Sequence, residues 1–151
     1  MLLSVGNLPI MKAQKEYTLA LAGRTMTARF TDLADQANGS VILQSGNTVV
    51  LATAVIGSSG KNNPGFFNLT VDYLEKFYAS GEILGGQYSK REGKPSDEAI
   101  LTSRVIDRTI RPLFSKHIKN PVQVIITVLS VGDTDPGILA VNAASLALAT
   151  S

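Results

Sequence analysis

The residues best suited to chemistry stand in one short run, QYSKREGKP, where Tyr88, Ser89, Lys90, Arg91 and Lys94 occupy a glycine-flanked segment. An aromatic ring offers a stacking face to any base, and neighbouring cations track phosphates. The pattern therefore suits a sequence-tolerant contact with a single-stranded nucleic acid. A second cationic set follows. Arg104, Arg108 and Arg111 stand at i, i+4 and i+7, within about 60° of one another at ~100° per helical residue. Such a stripe fits a polyanion, but it equally fits ion pairs with Asp97, Glu98 and Asp107 or a bridge between subunits.

Other candidates carry less. His117 is the lone histidine and the chain has no cysteine, so no nucleophile and base pair is present and a surface or cap role fits it best. Asp133 and Asp135, in the loop GDTDPG, are too few for a dedicated cation site, and an Asx turn accounts for them better. The run GEILGG lacks the Lys-Ser/Thr of a nucleotide-binding loop and reads as a flexible connection. No residue is assigned to catalysis or to a metal.

Charge agrees with this placement. The chain has 151 residues, 14 Lys and Arg against 12 Asp and Glu, and a formal charge of +2. Between Lys90 and Lys119, however, eight basic residues face four acidic ones, the local concentration expected of an anion contact or of a solvated basic face. With 44% apolar residues the chain can build a core, which excludes disorder. Without cysteine there is no disulfide framework and no thiolate zinc, a composition suited to a reducing cytosol. The opening MLLSVGNLPIMK is no signal peptide and no run reaches the ~18 apolar residues of a membrane span, so a cytoplasmic protein with no membrane partner is expected.

The elements that must hold these residues are short strands followed by helix, strand and helix. From Glu16 to Tyr73 the runs EYTLALAG, RTMTARF, GSVILQSG, NTVVLATAVIG and FFNLTVDY are rich in β-branched and aromatic residues, and they predict an antiparallel meander. Ser45-Gly46-Asn47 marks its clearest hairpin turn. Gly57 to Pro64 reads as a surface loop, and Ala79 to Pro95 as a long mobile one. Ser96 is placed to cap a helix whose first turn carries Asp97 and Glu98, with Leu101, Val105, Ile106, Ile110 and Leu113 as its apolar side. PVQVIITVLSVG predicts a strand buried on both faces, and ILAVNAASLALATS a buried helix. No stop signal ends that helix, so the chain is expected to end inside it, as a fragment of a longer protein.

The run FFNLTVDYLEKFYASGEILGGQYSKREGKPSDEAILTSRVIDRTIRPLF closely resembles the first RNase PH-like domain of the bacterial polynucleotide phosphorylases. The likeness extends from GNTVVLATAV to the NAASLALA helix, nearly the whole chain after the first ten or so residues. It implies an α/β (α+β) RNase PH-like domain over residues 1–151, truncated at its C-terminal end, with a mostly antiparallel N-terminal sheet. It further implies a phosphate-dependent 3′-to-5′ exoribonuclease of mRNA degradation and RNA processing, which releases nucleoside diphosphates and assembles as a homotrimeric ring. Mg2+ would be bound outside this segment, and degradosome-type partners are implied as possible. In that family the loop matching Tyr88, Ser89, Lys90 and Arg91 grips single-stranded RNA at a channel entrance. Ser89 stands where the commoner pattern has a second aromatic ring, which weakens the expected stacking by up to ~1–3 kcal/mol. The arginine stripe corresponds to a positive wall beside the RNA path or to a subunit contact. Phosphate in such sites is held by an arginine at the start of the helix and a Thr-Arg pair after the next strand. The nearest positions here are Glu98 and Asp135 to Ile138, so this segment is expected to be catalytically silent. The alternatives are a non-catalytic RNA-binding subunit of an exosome-like ring, a single-domain RNase PH, and a structural domain with a solvated basic face.

Overall fold

A computed structural model describes residues 15–21, 23–58, 66–83, 94–115 and 117–151. Four strands come first: β1 (Lys15–Leu21), β2 (Arg24–Phe30), β3 (Gly39–Ser45) and β4 (Thr48–Ile56). Then follow β5 (Leu69–Leu74), α1 (Asp97–Ile110), β6 (Val122–Ser130) and α2 (Pro136–Ala149). The six strands form one sheet in the order β1-β2-β3-β4-β6-β5.

β1 to β4 are the expected antiparallel meander. The β3–β4 turn is two residues, closed by the Ser45 and Thr48 pair, and Gly46 takes the positive φ of +58° that a tight turn demands. The meander stops there. β6 inserts between β4 and β5, antiparallel to the first and parallel to the second, so FFNLTVDY does not extend the hairpin series. Local composition cannot reveal this, because a parallel pair requires the crossover that α1 supplies.

One face of the sheet is covered. Val41, Leu43, Val50, Ala52, Ala54, Val124, Ile126 and Val128 alternate into it, under α2 and the inner side of α1. Four alanines of α2 (Ala140, Ala143, Ala144, Ala147) are fully buried and bring its backbone close to the strands. At Gly39 the approach is so tight that a Cβ would collide with the Ala147 carbonyl and the Ser151 backbone. Among the described residues the opposite face carries no layer, and Ile125, Thr127 and Leu129 of β6 are only half-buried there. β6 is therefore buried on one face, not on two. A single helical layer cannot cover both.

Two further expectations change. Of the apolar residues assigned to α1's inner side, Ile106 and Ile110 are buried with Ala99, whereas Leu101 is 61% and Val105 58% exposed, and Leu113 is exposed too. At ~100° per residue Leu101 and Val105 lie more than about 90° from Ile106 and Ile110, beyond the reach of one packed face. The stretch read as mobile from Ala79 begins in order: Phe77–Ser80 is a 3-10 turn with Ala79 buried, and its carbonyl accepts from Val131 N at 2.9 Å. Residues 84–93 of that stretch, and residues 59–64 of the Gly57 to Pro64 loop, lie outside the described residues. α2 runs to Ala149, two residues before the last residue given.

Candidate functional site

Of the residues singled out for nucleic-acid contact, Tyr88, Ser89, Lys90 and Arg91 lie outside the described residues. Lys94 is exposed and leads into Pro95 and Ser96, the cap of α1. Ser96 is extended (φ −64°, ψ 157°), and its hydroxyl accepts from Ala99 N at 3.0 Å. This fixes where the helix starts and hence the direction in which its side chains project.

The three arginines separate. Arg104 and Arg108 are exposed on the outer side of α1 and form no ion pair with any described residue. Arg111, at the C-terminal end of the helix, is clamped. Its Nε donates to one Asp107 carboxylate oxygen at 3.0 Å, and an Nη donates to the other and to the Leu69 carbonyl at 3.3 Å. Its guanidinium also lies 6.0 Å from the centroid of the Phe67 ring. The Asp107 hydrogen bonds hold it more firmly protonated than usual. The structure thus presents Lys94, Arg104 and Arg108 outward, whereas Arg111 ties α1 to β5.

A second feature is absent from the sequence-level list. β5 and β6 run parallel and each leads into a helix, so the N-termini of α1 and α2 meet beyond the carboxyl ends of those strands, where open α/β sheets form crevices. A cleft of about 730 Å³ lies there, with Tyr73, Glu75, Phe77, Ser96, Val131 and Pro136 in its wall. Helix N-termini ordinarily attract anions, and the described charged residues of this wall are Glu75 and Glu82 with Lys76 and Lys94. Ser96 Oγ donates to Glu75 at 3.1 Å, and Asp135 caps α2 by accepting from Gly137 N at 2.8 Å. Tyr73 is 4% exposed, and its hydroxyl pKa is pushed well above the ordinary value by burial first, then by Glu75, Asp135 and Glu98. Glu98 and Asp135, the positions nearest the expected phosphate donors, both act on the Tyr73 hydroxyl, and neither offers the cationic group that would hold phosphate. The legible signal for this cleft was the strand-helix-strand-helix order, combined with a capping residue and a proline at both helix starts.

Among the described residues no group of three or more His, Asp or Glu is arranged to hold a metal ion. Nor is any helix among them long and apolar enough to cross a membrane.

Residues 22–151 match the family described as 3′ exoribonuclease family, domain 1. The polyribonucleotide nucleotidyltransferase of Ruminiclostridium cellulolyticum is 49% identical over 138 residues, covering 91% of this chain and 20% of that protein. That of Thermosipho melanesiensis is 50% identical over 135 residues, covering 89% and 19%. The chain thus spans about a fifth of the length of these curated relatives. Among solved structures, rice Rrp46 superposes with a TM-score of 0.56 at 20% identity, over 96% of this chain and 59% of that one. The Archaeoglobus fulgidus exosome with RNA bound to the active site gives 0.56 at 19% identity, over 92% and 51%. At such identities these two structures speak to the RNase PH-like fold.

Proposed function

The chain belongs to the 3′ exoribonuclease family, whose first domain it carries, and from that premise we propose that residues 1–151 are the N-terminal, RNA-guiding part of a phosphorolytic nuclease. The whole protein is then a polyribonucleotide nucleotidyltransferase. An oxygen of inorganic phosphate attacks the phosphorus of the terminal phosphodiester, the 3′ oxygen of the shortened RNA leaves, and a nucleoside diphosphate is released. The reverse reaction extends an RNA end from nucleoside diphosphates.

The observation that carries the reading is the outer side of α1, where Arg104 and Arg108 stand exposed one turn apart without an ion pair to any described residue, behind an exposed Lys94. An unpaired guanidinium is available to a phosphate, and two on one helical side can follow a single strand. Tyr88, Lys90 and Arg91 belong to the same proposed path, with Tyr88 stacking a base and Ser89 adding no second ring. Arg111 supports that path from behind by holding the end of α1. Chemistry is assigned to the remainder of the whole protein, together with its Mg2+, because Glu98 and the stretch from Asp135 to Ile138, nearest the positions where such sites hold phosphate, supply neither the arginine nor the Thr-Arg pair. Assembly as a homotrimeric ring in the cytoplasm, and degradosome-type partners, belong to this proposal as well.

The test sets the complete parent reading frame beside the 151-residue chain, with oligo(A) and magnesium, with and without inorganic phosphate. Phosphate-dependent ADP from the parent alone is the expected result. ADP from the short chain overturns its silence. AMP, or no product from the parent, removes phosphorolysis and leaves the non-catalytic subunit of an exosome-like ring.

A further inference from the structure

Leu101 and Val105 of α1 stand outside the core, and the phosphate contacts proposed for this helix leave them unused. Their positions relative to the arginines are specific. Leu101 precedes Arg104 by three residues and Val105 precedes Arg108 by three, so at helical spacing each apolar side chain neighbours one guanidinium. The four residues therefore form two adjacent rows on the outer side of the helix, Arg104 with Arg108 and Leu101 with Val105. Each row advances about 6 Å from one member to the next, at ~1.5 Å per residue. All four are exposed, and neither arginine is ion-paired to a described residue. Of the nearby acids, Asp107 is engaged by Arg111, and Asp97 lies a turn before Leu101 in the first turn of the helix. Two uncompensated cations select an anionic partner, and the apolar row beside them selects one that carries apolar surface next to its charge.

We propose that Leu101 and Val105 receive the bases of the strand whose phosphates lie on Arg104 and Arg108, and so make this side of α1 selective for single-stranded RNA. The inference rests on the RNA-guiding reading and adds to it the feature that decides strandedness. A single strand carries phosphates along one edge and unpaired bases, with their apolar faces, along the other. Two rows of matching character receive both edges at once. A duplex pairs and stacks its bases, so the apolar row would meet sugar, phosphate and base edges instead. An inorganic polyanion would satisfy the arginines and leave Leu101 and Val105 in water. Aliphatic side chains read no hydrogen-bond pattern, so the selectivity is for unpaired bases and not for sequence. An acidic protein surface with apolar residues has the same two components. The match to a 3′ exoribonuclease family favours RNA as the occupant.

Three anions of matched phosphate count isolate the base contact: labelled oligo(U), with an oligo(A)·oligo(U) duplex and inorganic polyphosphate as competitors, all on the 151-residue chain. The informative variant is Leu101→Gln with Val105→Gln. Both positions face solvent and Gln keeps a good helix propensity, so the fold is retained. The wild type is expected to bind oligo(U) more tightly than either competitor. The Gln pair is expected to weaken oligo(U) by about fivefold to tenfold and to remove that preference, while the salt slope and polyphosphate affinity stay unchanged. Equal affinity of the wild type for all three anions, or oligo(U) affinity indifferent to the Gln pair, overturns the proposal. So does a change in sedimentation of the Gln pair with unchanged oligo(U) affinity, which assigns Leu101 and Val105 to a protein contact. Arg104→Ala with Arg108→Ala separates the two readings. An unchanged salt slope removes the phosphate path and this inference with it, whereas a flattened slope beside an ineffective Gln pair removes the base contact alone.

Discussion

Arg104, Arg108 and Arg111 are three identical side chains at helical spacing with different partners. The spacing was legible in the sequence, but which one pairs was not. That depends on the Leu69 carbonyl lying beside the end of α1, a contact across 42 residues. Replacing Arg111 by Ala is expected to lower stability by about 0.5–1 kcal/mol, since the pair is partly exposed. Arg104→Ala and Arg108→Ala are expected to stay within about 0.5 kcal/mol. Urea midpoints distinguish them, and equal losses at all three sites would contradict the assignment. Tyr73 supplies a pH signature. Its folded pKa is raised, so below about pH 10 both folded and unfolded chains hold the proton; above that only the folded chain keeps it, and stability falls as pH rises. Between pH 9 and pH 11 the urea midpoint of the wild type is expected to drop more steeply than that of Tyr73→Phe. Parallel drops would mean that the hydroxyl is not held as described.

At the scale of elements, the start of α1 and the seating of α2 are the exposed joints of the design. Ser96→Ala removes the cap on Ala99 N and the hydrogen bond to Glu75, and it should cost about 1 kcal/mol, measurable as a lower thermal midpoint. Gly39→Ala forces a methyl group onto the Ala147 carbonyl, and the expected loss is about 1–3 kcal/mol through displacement of α2. The helix starts, the β3–β4 hairpin and the buried α2 were all readable, because capping residues, a turn glycine and continuous apolarity act over a few positions. Placing β6 between β4 and β5 was not, since nothing local records a pairing of Leu69 with Val122. The outward Leu101 and Val105 were misread for a related reason: apolar residues spread around half of α1, and only the packing partner decides which of them the core receives. The cleft came from the same unread pairing, for it exists only because two parallel strands end together.

For the molecule as a whole, RNA affinity is the property that integrates the scattered cations. If Lys94, Arg104 and Arg108 each neutralise a phosphate, single-strand affinity should fall with log salt at a slope of about −0.7 per contact. The double variant Arg104→Ala with Arg108→Ala should then flatten the slope by about 1.4, read from fluorescence titrations on a labelled oligonucleotide at several ionic strengths. An unchanged slope would return these arginines to the role of a solvated face. The strand order also sets a timetable for synthesis. β1 to β4 can pair as soon as each emerges from the ribosome, but β5 has no neighbour until β6 arrives, 53 residues later from Leu69 to Val122. At ~5–20 residues per second that is a wait of roughly 3–10 s, during which β5 and the inner side of α1 remain open to chaperones and to other nascent chains.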